Sequence, residues 1–211
     1  MRRPATLHAA RELAAVYVLP ARVAIFILRA RRLARQIGDA WGPDAAARPR
    51  ELAHLLALAR GRSEVVELGT AVGWTAIALA LADRRRRVTS VDAVVHEQRA
   101  RYLELVPGHV HERIDFVEAD AALAATSSAD GDPAPAGVDL LFIDAGHGRE
   151  QTIAEFQAWQ PRLAAGAVVA FHDYRHPEHD GVAEAIEELG LEGEVAGGMF
   201  VWRQPRTCVS G

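Results

Sequence analysis

The stretch that decides the fold is Val65–Ala76, VVELGTAVGWTA. Val65, Val66 and Leu68 are strand formers. Gly69 and Gly73 allow a tight turn through Thr70 and a close approach of backbone or ligand. Trp74, Thr75 and Ala76 then open the apolar run AIALALA, a good helix. A strand that enters a helix through such a turn points free backbone N–H groups at whatever lies over the strand end. The spacing departs from a dinucleotide fingerprint: three residues separate the two glycines, and Ala71 stands where a middle glycine would be. Glu67 lies two residues before the first glycine. A carboxylate there repels a pyrophosphate and suits a cation.

Outward from this stretch, strands and helices alternate. Strands are expected at Glu64–Leu68, Val88–Val91, Ile114–Val117, Val138–Ile143 and Ala167–Phe171, and two more at Glu194–Val195 and Met199–Trp202. Helices are expected over 51–60, from Trp74 to Ala82, over 94–105, 121–125, 150–163 and 182–189. Arg84–Arg87 reads as a solvated turn and 126–137 as a surface loop. This order implies an α/β doubly wound sheet of seven strands, mostly parallel, with right-handed crossovers and helices on both faces. Residues 1–50 read as an N-terminal helical extension with a linker over 38–50, and 51–211 as the main domain.

Ligands of open α/β sheets bind outside the carboxyl ends of the strands, and each of the first five strands ends in an acid: Glu67, Asp92, Glu118 or Asp120, Asp144 and Asp173. Asp92, 19 residues after Gly73, is placed to take ribose hydroxyls; its other use is as a helix N-cap. Asp120 carries the same alternative. His172, His176 and His179 raise a zinc site, which Pro177 disfavours by breaking helical spacing.

The 211 residues suffice for one sizeable core. Net charge is −4, which argues against a nucleic-acid partner, and all 24 basic residues are Arg, which excludes lysine nucleophiles. The single Cys208 excludes an internal disulfide or a cysteine zinc site and points to a reducing, cytoplasmic compartment. Residues 1–40 hold eight arginines against Glu12 and Asp39, leaving the remainder at −10. Val23, Phe26, Ile27, Ala30, Leu33, Ala34 and Ile37 form one apolar stripe at helical spacing, with Ile25 and Leu28 on the arginine side. This helix packs on the core or on a second copy in a homodimer, or lies peripherally on an anionic membrane. Arg22 interrupts the apolar run too early for a transmembrane span.

The glycine turn resembles the first motif of class I S-adenosylmethionine-dependent methyltransferases, and LLFIDAGHGREQTIAEFQAWQPRLAAGAVVAFHDY resembles the macrocin O-methyltransferase-like and cephalosporin-hydroxylase-like group, the methyltransferase 24 type. The resemblance rests on Ile143, Asp144, His147, Trp159, Pro161, Leu163, Gly166, His172 and Asp173, and covers about Glu51–Trp202. It implies a Rossmann-like fold and transfer of methyl from S-adenosylmethionine to a hydroxyl of a small molecule or sugar. Glu67, Gly69, Thr70, Gly73, Trp74, Asp92, Asp120 and Asp144 would bind the cofactor, with Asp120 on the adenine amino group. Asp144, His172 and Asp173 would hold Mg²⁺ or another divalent cation, and His147 would be the general base. His172 stands where magnesium-binding members carry Glu, and nitrogen suits Mn²⁺ or Zn²⁺ better than Mg²⁺. A NAD(P)-dependent oxidoreductase and a non-catalytic S-adenosylmethionine-binding protein are the competing readings.

Overall fold

The computed structural model describes residues 15–126, 134–176 and 180–206. The arginines at 2, 3 and 11, most of the 126–137 loop, His179 and Cys208 lie outside the described residues. After a single 3₁₀ turn at Val16–Val18, Pro20 opens helix α1 (Ala21–Ile37), followed by α2 (Gly42–Ala45) and α3 (Pro49–Leu58). The alternating part then runs β1 (Glu64–Leu68), α4 (Trp74–Ala82), β2 (Arg87–Asp92), α5 (Arg99–Leu103), α6 (Gly108–His111), β3 (Ile114–Glu118) and β4 (Val138–Ile143). It continues with α7 (Arg149–Trp159), β5 (Leu163–Phe171), α8 (Asp180–Glu188), β6 (Glu194–Ala196) and β7 (Met199–Arg203).

The seven strands form one sheet in the order β3-β2-β1-β4-β5-β7-β6. β1 to β5 are parallel, and β7 lies antiparallel to both β5 and β6. This is the Rossmann-like, mostly parallel seven-stranded sheet that the order of elements implies. Period-2 alternation divides the core. Val65, Val88, Leu140, Phe142, Val168 and Val201 face one layer, built from α1, α3, α4 and α6. Val66, Leu68, Val91, Leu141, Ile143, Val169 and Phe171 face the other, with α7 and α8. Burial on both faces explains the unbroken apolar run of β4. Trp159 is fully buried in the second layer, and its indole N–H donates to the Ala121 carbonyl at 2.8 Å.

α4 is buried from Trp74 through Ala80 because α1 covers the side that the sheet leaves bare. Val23, Phe26, Ile27, Ala30 and Ala34 supply that cover, whereas Ile25 and Leu28 face outward. Four local expectations are corrected. The helix over 94–105 shrinks to α5, because the Asp92 carboxylate accepts the Val94 N–H and holds an open turn before it. The helix over 121–125 is only a 3₁₀ turn at Leu123–Ala125. The helix from 150 ends at Trp159, since Pro161 turns the next residues into a 3₁₀ turn. In the Arg84–Arg87 run, Arg86 is buried, donating to the carbonyls of Leu79, Ala59 and Arg62.

Candidate active site

The ladder extends one step past the strand ends. Gly69 N–H donates to Val91 O (2.8 Å), Asp144 N–H to Leu68 O (2.8 Å) and His172 N–H to Ile143 O (2.9 Å). These bonds hold Gly69, Asp144 and His172 along one edge of the sheet. The strands close so tightly there that a Cβ on Gly69, whose φ is +95°, would stand 2.2 Å from the Asp144 carbonyl oxygen. Gly73, with φ +82°, caps the N-terminus of α4.

Asp92 latches the turn between them. Its Oδ2 accepts the N–H groups of Thr70 (3.0 Å) and Ala71 (2.8 Å), and its Oδ1 accepts that of Val94 (2.9 Å). Arg99 completes the latch: its guanidinium donates to the carbonyls of Ala71 and Val94 and stacks over Phe116. No spacing in the sequence singled out Arg99. Asp120 caps the next turn, with Oδ1 accepting the N–H groups of Ala122 and Leu123 at 3.0 Å each.

Four expected cofactor contacts, Glu67, Thr70, Gly73 and Trp74, do not line the cleft; a Cβ on Gly73 would meet Arg99 and Phe116. Glu67 shares the face of Val65, points under the sheet edge and is 1% exposed. It accepts a hydrogen bond from the Ser90 hydroxyl, which lies 2.7 Å from that of Thr70. Burial, reinforced by the charges of Asp144 and Asp92, pushes the Glu67 carboxyl up to about 8 against the pull of Ser90 and Arg99. Buried and with its carboxyl raised in this way, it does not face the cleft. The Thr70 hydroxyl belongs to this buried chain. The Trp74 ring is a core group, edge-on to Phe26 and Tyr102, because the first turn of α4 faces α1.

The ends of β4 and β5 bring together acids and imidazoles. His172 Nδ1 lies 2.9 Å from Asp144 Oδ1 and 3.3 Å from Asp173 Oδ1, and its Nε2 lies 3.5 Å from Glu51 Oε2. Burial alone would push this imidazole down; Asp144 first, then Asp173 and Glu51, outweigh it and hold it up to about 12. Burial pushes the other way on Asp173, which His172, His147 and His176 hold down to about 2. His147 Nε2 is 3.7 Å from Asp173 Oδ2. Donor atoms of Asp144, His147 and Asp173 all lie within 4.8 Å of one another. His147 therefore takes the place expected for His172 in that set; His172 is turned so that its Nδ1 lies beside the two carboxylates, buried and without a hydrogen bond to either.

α7 holds the His147 turn from behind. The Thr152 hydroxyl donates to Gly148 O at 3.0 Å and to Gly146 O at 3.3 Å. Gln151 packs so closely that a Cβ on Gly146 would overlap it, and its amide donates to Glu155 at 2.9 Å. Glu155 is buried, and burial pushes its carboxyl up to about 7.

These groups face one open cleft of about 560 Å³, lined by Gly69, Asp92, Asp120, Asp144, His147 and Asp173 among others. Its other wall is the segment expected to be a linker. Asp39 accepts the Tyr102 hydroxyl (2.6 Å) and the Gly42 N–H (2.8 Å), which pins the chain so that Trp41, Asp44 and Arg48 line the cleft. Trp41 stacks on His96 with ring centroids 4.4 Å apart. A Trp in a Gly- and Pro-containing stretch gave no pattern by which to find this wall.

A model described as a methyltransferase domain matches residues 66–174, more than half of the chain. The chain belongs to this methyltransferase family. Among solved structures it is similar to a methyltransferase from Geobacter sulfurreducens (16% identity, TM-score 0.64, covering 96% of this chain and 97% of that one). It is also similar to the O-methyltransferase TomG from Streptomyces achromogenes in complex with S-adenosylmethionine (22%, TM-score 0.59, 85% and 89%). A third is CalS11, a TDP-rhamnose 3'-O-methyltransferase of calicheamicin biosynthesis (20%, TM-score 0.56, 72% and 78%). No curated protein matches.

The chain is thus a class I S-adenosylmethionine-dependent methyltransferase, and the oxidoreductase and non-catalytic readings fall away. The cleft fits that cofactor. Asp92, Asp120 and Asp144 all face it, a setting that favours a sulfonium and an ammonium over a diphosphate. No described helix of this methyltransferase is long and apolar enough to cross a membrane.

Proposed function

We propose that this methyltransferase transfers the methyl group of S-adenosylmethionine to a hydroxyl of a small molecule or sugar, with His147 as general base. One observation carries the reading: an imidazole, braced by Asp173 at 3.7 Å, faces the same cleft as the glycine turn. Asp92 would take a ribose hydroxyl. Its two oxygens offer about four lone-pair positions, of which Thr70, Ala71 and Val94 use three. Asp120 would take the adenine amino group on Oδ2, and Gly69 and Asp144 would receive the methionyl end. The acceptor would lie between Arg48, Glu51, His147 and His176. The His147 imidazole removes the hydroxyl proton as the oxygen attacks the methyl carbon; the methyl–sulfur bond breaks and the sulfonium becomes the neutral thioether of S-adenosylhomocysteine. The similar structure named for a sugar 3'-O-methyl transfer supports a sugar among the acceptors.

The cluster of Asp144, His147 and Asp173 favours a second reading. Two carboxylates and an imidazole fit a divalent cation such as Mn²⁺ or Zn²⁺ better than Mg²⁺. A cation bound there would lower the pKa of the acceptor hydroxyl. Of the contacts expected for the basic N-terminal segment, we favour a membrane surface over a homodimer, on grounds given below. The single cysteine supports a cytoplasmic enzyme.

Labelled S-adenosylmethionine with a panel of hydroxylated acceptors, with and without chelator, tests this. His147→Ala should lower turnover by about 10²–10⁴ and leave cofactor affinity nearly intact. Normal turnover in that variant overturns the assignment. Turnover that chelator abolishes and Mn²⁺ restores selects the second reading.

A further inference from the structure

A second depression lies away from the cleft. The first half of α1, the end of α4 and the α5–α6 connection enclose a groove of about 420 Å³. Its floor is apolar, with Phe26, Leu81, Val106 and Val110. Its polar lining is cationic: Arg22, Arg29, Arg84 and Arg113, with His109, and no acid among the lining residues. Arg113 is a fixed wall, since its guanidinium donates to the carbonyls of Ala80, Asp83 and Arg86. Arg22, Arg29 and Arg84 are exposed.

The groove continues onto the outer face of α1. That helix carries Arg22, Arg29, Arg31, Arg32 and Arg35 and no acid, in a chain whose net charge is −4. Among these arginines Ile25 is 51% and Leu28 40% exposed, and just before the helix Tyr17 is 80% and Val18 65% exposed. Exposed apolar side chains set among arginines, which no acid pairs among the described residues, match the boundary between phosphate headgroups and acyl chains. A guanidinium forms paired hydrogen bonds to phosphate.

We propose that this groove and the outer face of α1 dock the methyltransferase on an anionic phospholipid surface. A second copy is disfavoured by charge: a two-fold contact through this face would set the five arginines of one α1 against those of the other. The groove is lined by the first half of α1, whereas the cleft wall begins at Trp41, beyond the C-terminus of that helix. The buried face of α1 stays in the core, so the attachment is electrostatic with a small apolar component.

The test is co-sedimentation of the full chain with vesicles of phosphatidylcholine alone or mixed with phosphatidylglycerol. Binding to the mixed vesicles only, weakened by salt, is expected. An arginine near such a surface is worth about a fivefold change in partitioning, so R22E/R29E/R84E should lower binding by about a hundredfold. A second variant, I25S/L28S, removes only exposed side chains and should weaken binding while thermal unfolding and S-adenosylmethionine affinity stay at wild-type values. The proposal is overturned by any of three results: no wild-type binding to anionic vesicles, binding undiminished in both variants, or a wild-type dimer in sedimentation that the variants dissociate. Cofactor affinity is read separately, so a failed vesicle experiment leaves the catalytic reading where it stands.

Discussion

Glu67 offers the sharpest test of the site's electrostatics. The acid ends β1 beside the glycine turn, where a carboxylate would be expected to attract the positively charged cofactor. In the structure it is 1% exposed, accepts the Ser90 hydroxyl, and has its pKa pushed up from 4.5 to about 8 by burial. Between those two values the unfolded chain has lost the Glu67 proton and the folded chain retains it. The folded state therefore binds more protons, and stability falls as pH rises through this window. Each pH unit costs about 1.4 kcal/mol, and the whole window about 5 kcal/mol. Glu67→Gln keeps an acceptor for Ser90 and removes the ionisation. Urea unfolding of both proteins across the window should show wild type losing about 3 kcal/mol relative to the variant over two pH units. Cofactor affinity at neutral pH, measured by calorimetry, should change by less than about threefold, since a protonated Glu67 contributes no charge to the cleft. Parallel pH curves, or a tenfold loss of affinity in the variant, would refute the argument and restore Glu67 as an ionised cofactor partner.

The other positions act through geometry. Gly69→Ala combines a left-handed backbone with a Cβ 2.2 Å from the Asp144 carbonyl oxygen. It should cost about 2–5 kcal/mol, read as a fall in Tm of about 5–15 °C. Arg99→Leu removes the charged donors from the carbonyls of Ala71 and Val94. At about 1.5–3 kcal/mol for such bonds, calorimetry should show cofactor Kd rising by about tenfold or more, and unchanged affinity would count against the latch. Trp159→Ala empties a fully buried site and should cost about 3–5 kcal/mol in urea unfolding. Trp159→Phe, which orphans the Ala121 carbonyl and leaves a smaller void, should cost less than Trp159→Ala, about 1–3 kcal/mol.

The sheet was legible because its signals are local and repeated. The apolar strands, the helices between them and the period-2 burial each follow from a few consecutive residues, and the stripe from Val23 to Ala34 named the covering helix. Asp92, Asp120, Asp144, His147 and Asp173 converge on one cleft because parallel strands bring their carboxyl ends to a common edge. Partners of distant origin were not legible. Arg99 reaches back to Ala71, Tyr102 reaches Asp39, and Glu51 meets His172 across more than a hundred residues. Nothing in sequence spacing encodes such pairings, and Trp41 looked like loop because its stacking partner, His96, lies 55 positions on.

The strand-end acids show where a pattern stops specifying chemistry. Read as one row of like charges, they have three fates, and side-chain direction and length decide among them. Glu67 follows the alternation of β1 to the inner side of the edge, where ionisation is too costly, so it is held neutral by burial. Asp92 ends β2 and Asp120 stands two residues beyond β3; their short side chains accept backbone N–H groups of the glycine turn and of the turn after β3, and so order those turns. Asp144 and Asp173 flank one imidazole, which screens two carboxylates that would otherwise repel each other, and His147 approaches their outer side. Of the acids that the sequence sets in one class, this last pair is the one grouped with His147, the proposed base. The repulsion between these two carboxylates is therefore met by His172 from within the fold, which leaves His147 on the open side, where the proposed base would exchange a proton with substrate.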